Sequence, residues 1–96
     1  MERLEYFAKV MKVVTELMGV TEEEVLGKSK VMDVVDARWM AIQFLHEKGY
    51  STRQISHLMN HPERTINHAL EQFEDRATYS PNKLGNIVAI ARQQLL

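Results

Sequence analysis

The sequence predicts an all-α fold, an orthogonal bundle of about five helices that contains a helix-turn-helix. Apolar residues recur at three- and four-residue steps along almost the whole chain, which is the signature of a helix face and not of a strand. Cap and stop residues fall between these runs, where helices should begin and end. Finally, two short periodic runs flank a tight-turn position at Asn60.

The elements follow in order. From Leu4 to Met18, the residues Leu4, Phe7, Ala8, Val10, Met11, Val14, Leu17 and Met18 share a face, and Gly19 closes the helix. Thr21 is a good N-cap, followed by Glu22, Glu23 and Glu24 in a first turn where the helix dipole favours negative charge. A short second helix therefore ends near Gly27. Between Val31 and Lys48, one side carries Val34, Ala37, Ala41 and Leu45, and another carries Val35, Trp39 and Ile42. A helix this apolar is packed on more than one side and should be central. Arg38 projects between the two sectors, where burial would demand a carboxylate or helix C-terminal carbonyls as partners.

Gly49 ends the central helix, and Ser51-Thr52-Arg53-Gln54 has the form of a capping box. About nine helical residues follow, with Ile55 and Leu58 inward. Asn60 tolerates the left-handed conformation of a sharp turn. Pro62 then suits the first position of a helix whose inward stripe is Ile66, Ala69, Leu70 and Phe73. After Asp75 a polar linker is expected. It leads to Ser80-Pro81, another cap-plus-first-position signal, and to a last helix burying Leu84, Ile87, Val88, Ile90, Ala91 and Leu95.

Length and composition bound the function. A chain of 96 residues has material for one core, so residues 1–96 are expected to form a single domain, too short for a nucleotide-hydrolysing machine. The absence of cysteine excludes disulfides, thiol nucleophiles and thiolate zinc sites. No apolar run approaches the length of a membrane span and no export leader is visible, so a cytoplasmic protein without membrane contact is expected. The net charge of −1 weighs against nucleic acid, whose binders usually carry a basic surplus. Its distribution weighs the other way: residues 1–27 carry −3, residues 28–64 carry +2, and residues 65–96 are neutral. The histidines His46, His57 and His61 could add charge near phosphate.

The segment from Ser51 to about Asp75 fits a helix-turn-helix whose second helix lies in a DNA major groove. With Ile66, Ala69, Leu70 and Phe73 inward, Arg64, Asn67, His68 and Glu71 point outward, and Glu63 and Thr65 flank the first turn. Arginine can donate two hydrogen bonds to guanine, asparagine can pair with adenine, and threonine can meet a thymine methyl or a phosphate. A plain helical hairpin would expose the same residue types, so spacing alone leaves both readings open.

Three segments carry a resemblance to a known family: VVTELMGVTEEEVLGKSK, VVDARWMAIQFLHEKGYSTRQISHLMN and RTINHALEQFED. Together they resemble the C-terminal DNA-binding domain of the bacterial chromosomal replication initiator DnaA, a Trp-repressor-like helix-turn-helix domain, from Val14 to Asp75. Ala37-Arg38 and Thr65-Ile66-Asn67-His68-Ala69 stand where that family has its Ala/Pro-Arg pair and its Thr-Val-hydrophobic-His-Ala stretch. The resemblance implies three DNA contacts. Lys28, Ser29 and Lys30 match the family's basic loop on the minor groove and phosphates. Ser51, Thr52 and Arg53 match a helix start that meets phosphate. The segment His61, Pro62, Glu63, Arg64 and Thr65 falls on the reading motif Arg-Asp-His-Thr-Thr, of which only Thr65 is kept. Different side chains there predict a different target from the initiator's usual box. The family's two-glycine turn is replaced by Met59-Asn60.

The expected function is thus sequence-specific binding of double-stranded DNA by a stand-alone domain, regulating replication or transcription. No GxxxxGK[ST] occurs, so nucleotide binding and origin unwinding by this chain are not expected. The alternative is a protein-interaction module that kept the fold and lost DNA binding, supported by the net charge, the thin basic loop and Glu63. The first and last helices are candidate faces for a homodimer, which would ask for half-sites about one DNA turn apart. Neither a cofactor nor a metal is expected: His57 and His61 are four apart, but the turn interrupts them and no third ligand is evident. Trp39 reads as packing rather than a base-stacking platform, and the methionines as filling of an irregular core. No nucleophile, base and oxyanion donor can be grouped, so no enzyme is expected.

Overall fold

The computed structural model describes residues 3–79 and 84–96. Six helices and no strand are present among them: α1 (Arg3–Met18), α2 (Glu22–Leu26), α3 (Met32–Glu47), α4 (Thr52–Met59), α5 (Glu63–Tyr79) and α6 (Leu84–Leu95). The all-α bundle is as expected, with six helices where about five were foreseen.

Helix α3 is the axis of the bundle and packs against each of the other five. Val34, Ala37, Met40, Ala41, Ile42, Phe44 and Leu45 are all buried, which is what apolar residues over most of a helix circumference require. One continuous core joins Ala37, Met40, Ala41, Ile42, Phe44 and Leu45 to Val10, Met11 and Val14 of α1, Val25 of α2, Ile55 and Met59 of α4, Ile66, Ala69 and Phe73 of α5, and Leu84, Val88 and Ala91 of α6. Three residues expected in it are not there: Leu4 and Ala8 of α1 and Ile90 of α6 are exposed. In their place α1 buries Tyr6 and Val13, because α1 meets both α3 and α6 and its covered face is wider than one stripe.

Local chemistry sets the boundaries. The Thr21 hydroxyl accepts from the Glu24 N–H while the Glu24 carboxylate accepts from the Thr21 N–H, a complete capping box. Ser51 and Gln54 repeat this at α4. Gly19 at φ 67° and Gly49 at φ 104° turn the chain out of α1 and α3 through a conformation costly for any side chain. Asn60, at φ 57° and ψ 43°, is the left-handed cap of α4. The Pro62 carbonyl accepts from the Thr65 and Ile66 N–H groups, so Pro62 stands just outside α5 rather than in its first turn.

The polar linker expected after Asp75 is absent up to Tyr79, because α5 runs on to that residue. Its extra turn contains Arg76, whose guanidinium pairs with the fully buried carboxylate of Asp36 on α3. An ion pair at that position holds polar residues in a helix that periodicity alone would have ended. The Ser80-Pro81 helix start lies outside the described residues.

Candidate nucleic-acid interface

The helix-turn-helix is built by α4, the Asn60-His61-Pro62 turn and α5. Two bonds close the turn: the His61 N–H donates to the Ser56 carbonyl at 3.2 Å, and the Ser56 hydroxyl donates to the His61 carbonyl. Along α5 the buried side is Ile66, Ala69 and Phe73, with Leu70 half-buried. Arg64, Asn67, His68 and Glu71 are exposed, as the helical wheel required, with Glu63 also exposed and Thr65 half-buried. Arg64 makes no ion pair or hydrogen bond among the described residues.

Arg38 fixes the basic loop to this unit. Its Nε donates to Val25 O at 2.8 Å, Nη1 to Ser29 O at 3.0 Å, and Nη2 to Glu24 O at 3.1 Å and Gly27 O at 3.0 Å. Burial lowers its pKa from the usual arginine value, but a guanidinium stays charged, and carbonyls at the negative end of α2 are suitable partners. Of the two partner types that the sequence left open, the fold uses carbonyls. Residues 24–29 are therefore wrapped around one α3 side chain. The loop that follows is held against the turn: Lys28 Nζ donates to Asn60 O at 2.9 Å, and Lys28, Ser56, His57, Asn60, His61 and Pro62 line one shallow depression. Lys30 is exposed beside it in sequence, and Ser29 Oγ accepts from the Val31 N–H at 3.3 Å.

The helix start at Ser51 is adjacent too. Its hydroxyl and N–H are consumed by the capping box, which leaves the N–H groups of Thr52 and Arg53 as the outward donors of the first turn. The Thr52 hydroxyl donates to the Glu63 carboxylate at 3.2 Å, tying the starts of α4 and α5 together. Arg53 is exposed. Three segments distant in sequence, 28–30, 51–53 and 60–65, thus share one side of the molecule through direct bonds.

His61 is the exception among the candidate residues. Only 7% exposed, its ring is a packing element and not a surface cation, and Nε2 has no hydrogen-bond partner. Burial, then the charges of Lys28 and Arg38, hold its pKa below the usual histidine value, against the opposing carbonyls of Gly27 and Val25. The imidazole is therefore neutral near pH 7, and the charge foreseen for it at phosphate is not supplied. His57, on the same depression, is exposed. His68 is exposed as well but leans on Trp39, edge to face, with ring centroids 5.6 Å apart. Trp39 is half-buried, as a packing residue should be, and its face is covered by Arg76 at 5.2 Å.

Sequence reasoning missed the Lys28–Asn60 bond, since the two residues lie 32 apart. Its only trace was Asn60 itself, a turn residue whose outward carbonyl needs a donor. Among the described residues no group of three or more histidines or acids has metal-binding geometry, and no helix is long and apolar enough to cross a membrane.

A sequence relative can now be set beside this geometry. The chain is 28% identical over 68 residues to the chromosomal replication initiator protein DnaA of Pseudothermotoga lettingae. That stretch is 70% of this chain and 15% of the relative, so the chain corresponds to a small part of that protein. The likeness is consistent with a DnaA-like domain. No family model matches the chain, and no solved structure matches it significantly.

Proposed function

We propose that this chain is a single DnaA-like domain that binds double-stranded DNA in the cytoplasm and regulates replication or transcription. Helix α5 lies in the major groove, with Arg64 on a guanine, Asn67 on an adenine and Thr65 at a thymine methyl or phosphate. Lys28 and Lys30 grip the backbone or minor groove, and the Thr52 and Arg53 N–H groups meet a phosphate at the start of α4. The observation that carries this reading is the bond from Lys28 to the carbonyl of Asn60, which joins the 28–30 loop to the turn of the helix-turn-helix, both inside the net-positive segment 28–64. The likeness to a replication initiator supports the same reading.

Two features modify the family's scheme. Glu63 is engaged by Thr52, so a phosphate arriving at α4 competes with a carboxylate for that hydroxyl. His61 is neutral and buried, so base reading begins at Glu63 and Arg64.

Site selection from a random duplex pool at low salt tests the proposal. One enriched site is expected; if two copies act together, it takes the form of two half-sites about one DNA turn apart. Arg64→Ala should cost about 1–3 kcal/mol on the selected site and flatten preference at one base pair, whereas Lys30→Ala should weaken all sequences alike. A pool that enriches nothing would leave the protein-interaction module as the function of the fold.

A further inference from the structure

The first turn of α5 carries an acid where a phosphate-binding surface would gain from a cation. Glu63 is exposed at the front of the helix, and its carboxylate accepts from the Thr52 hydroxyl at 3.2 Å, a bond between two helices whose partners are 11 residues apart. Arg53 and Arg64, which follow Thr52 and Glu63 in the chain, make no ion pair with it, and its second oxygen has no partner among the described residues. The charge is therefore held in place by a neutral hydroxyl and is not cancelled.

A fixed, uncompensated carboxylate is unfavourable beside phosphate and favourable only where a donor faces it. Donors are few in the major groove. Guanine presents N7 and O6 and thymine O4, all acceptors, and adenine sets its amino group beside the acceptor N7. Cytosine presents the N4 amino group alone, so it is the base that an acceptor-only side chain selects. Arg64, one residue on, stands about 100° around the helix and about 1.5 Å along it, so its donors reach a different base edge.

From this geometry we infer that Glu63 is a specificity-determining residue that selects a cytosine in the duplex, with Thr52 as the residue that positions its carboxylate. The inference rests on the DNA reading above and names part of the target of that same site. The target contains a cytosine read by Glu63 beside the guanine read by Arg64. Guanine or thymine in place of that cytosine is rejected by repulsion as well as by a lost bond.

The test is selection from random duplex pools, run in parallel on the unmodified chain, Glu63→Gln and Thr52→Val. Each replacement is close in shape to the original, and Gln can still accept from Thr52. The unmodified chain should enrich a site with one fixed cytosine. Glu63→Gln should change that position to adenine, whose N6 and N7 match an amide, and leave the guanine read by Arg64 in place. On the selected site, exchanging that C·G pair for T·A should weaken the unmodified chain by about tenfold or more, and Glu63→Gln by much less. Thr52→Val should keep the guanine and lower the discrimination at the cytosine, because the carboxylate is no longer held; unchanged discrimination would overturn the role of Thr52. A role for Glu63 confined to the start of α5 would move a urea midpoint and not a base preference. A site that Glu63→Gln selects unchanged would overturn the inference while the DNA reading stands. So would a uniform gain in affinity for all sequences, which would make Glu63 only a charge facing phosphate. Pools that enrich nothing on the unmodified chain would overturn the DNA reading and this inference with it.

Discussion

His61 occupies the point where Lys28, Arg38 and the carbonyls at the end of α2 converge, and its neutrality has a measurable consequence. An unfolded histidine takes up a proton near pH 6.5, whereas the buried ring resists it until lower pH. Below about pH 6.5 the unfolded chain therefore binds more protons than the folded one, and stability is lost as pH falls toward the folded value. Urea midpoints measured from pH 7.5 down to 5 should decline. His61→Gln should remove part of that slope. An unchanged slope in His61→Gln would show that the ring is not the group responsible. Arg38 is the companion case. Arg38→Ala strands four carbonyls and should cost about 3 kcal/mol in chemical denaturation. It should also reduce DNA affinity although Arg38 touches no DNA, because the 28–30 loop loses its anchor.

At the scale of the elements, the turn between α4 and α5 and the extra length of α5 depend on different physics. Asn60 is left-handed for backbone reasons, and the bond from Lys28 goes to its carbonyl rather than its side chain. Asn60→Ala should thus cost about 1 kcal/mol and Asn60→Gly much less, with DNA affinity following stability in both. Helix α5, by contrast, is held beyond Asp75 by the Arg76–Asp36 pair. Arg76→Ala leaves a fully buried carboxylate without its cation and should destabilise by about 3 kcal/mol, read from a denaturant midpoint. Replacing both partners with apolar residues should recover most of that loss. Amide exchange in the last turn of α5 should accelerate in Arg76→Ala and not in the double variant.

For the whole molecule the decisive quantity is where charge stands and not how much there is. The net charge is −1, yet residues 28–64 carry +2, and folding leaves that surplus on the surface because it buries one cation of the segment, Arg38, together with one anion, Asp36. The C-terminal half of α5 is acidic, so one helix presents Arg64 near one end and Glu71, Glu74 and Asp75 toward the other. Phosphate contacts limited to Lys28, Lys30 and Arg53 predict a slope of log affinity against log salt on the order of −3. A slope twice as steep on a single site would indicate a second copy. Absence of binding at low salt would remove the DNA reading altogether.

Most of the helices, the N-cap at Thr21, the capping box at Ser51, the left-handed turn at Asn60 and the outward set Arg64, Asn67, His68 and Glu71 were legible in the sequence, because each depends on neighbours within about one helical turn. The end of α5 was not, since a polar tail looks like a linker until the buried carboxylate of Asp36, 40 residues away, is seen to claim Arg76. His61 looked like a surface cation because its neighbours are polar; burial comes from α2 and Arg38, which no local pattern reports. The binding side itself divides in the same way. Sequence by itself determined which residues stand on the outer face of each helix, a matter of helical periodicity. Only the tertiary structure decided that the 28–30 loop, the start of α4 and the start of α5 share one side, because long-range hydrogen bonds from Lys28, Arg38 and Thr52 join segments that sequence keeps apart.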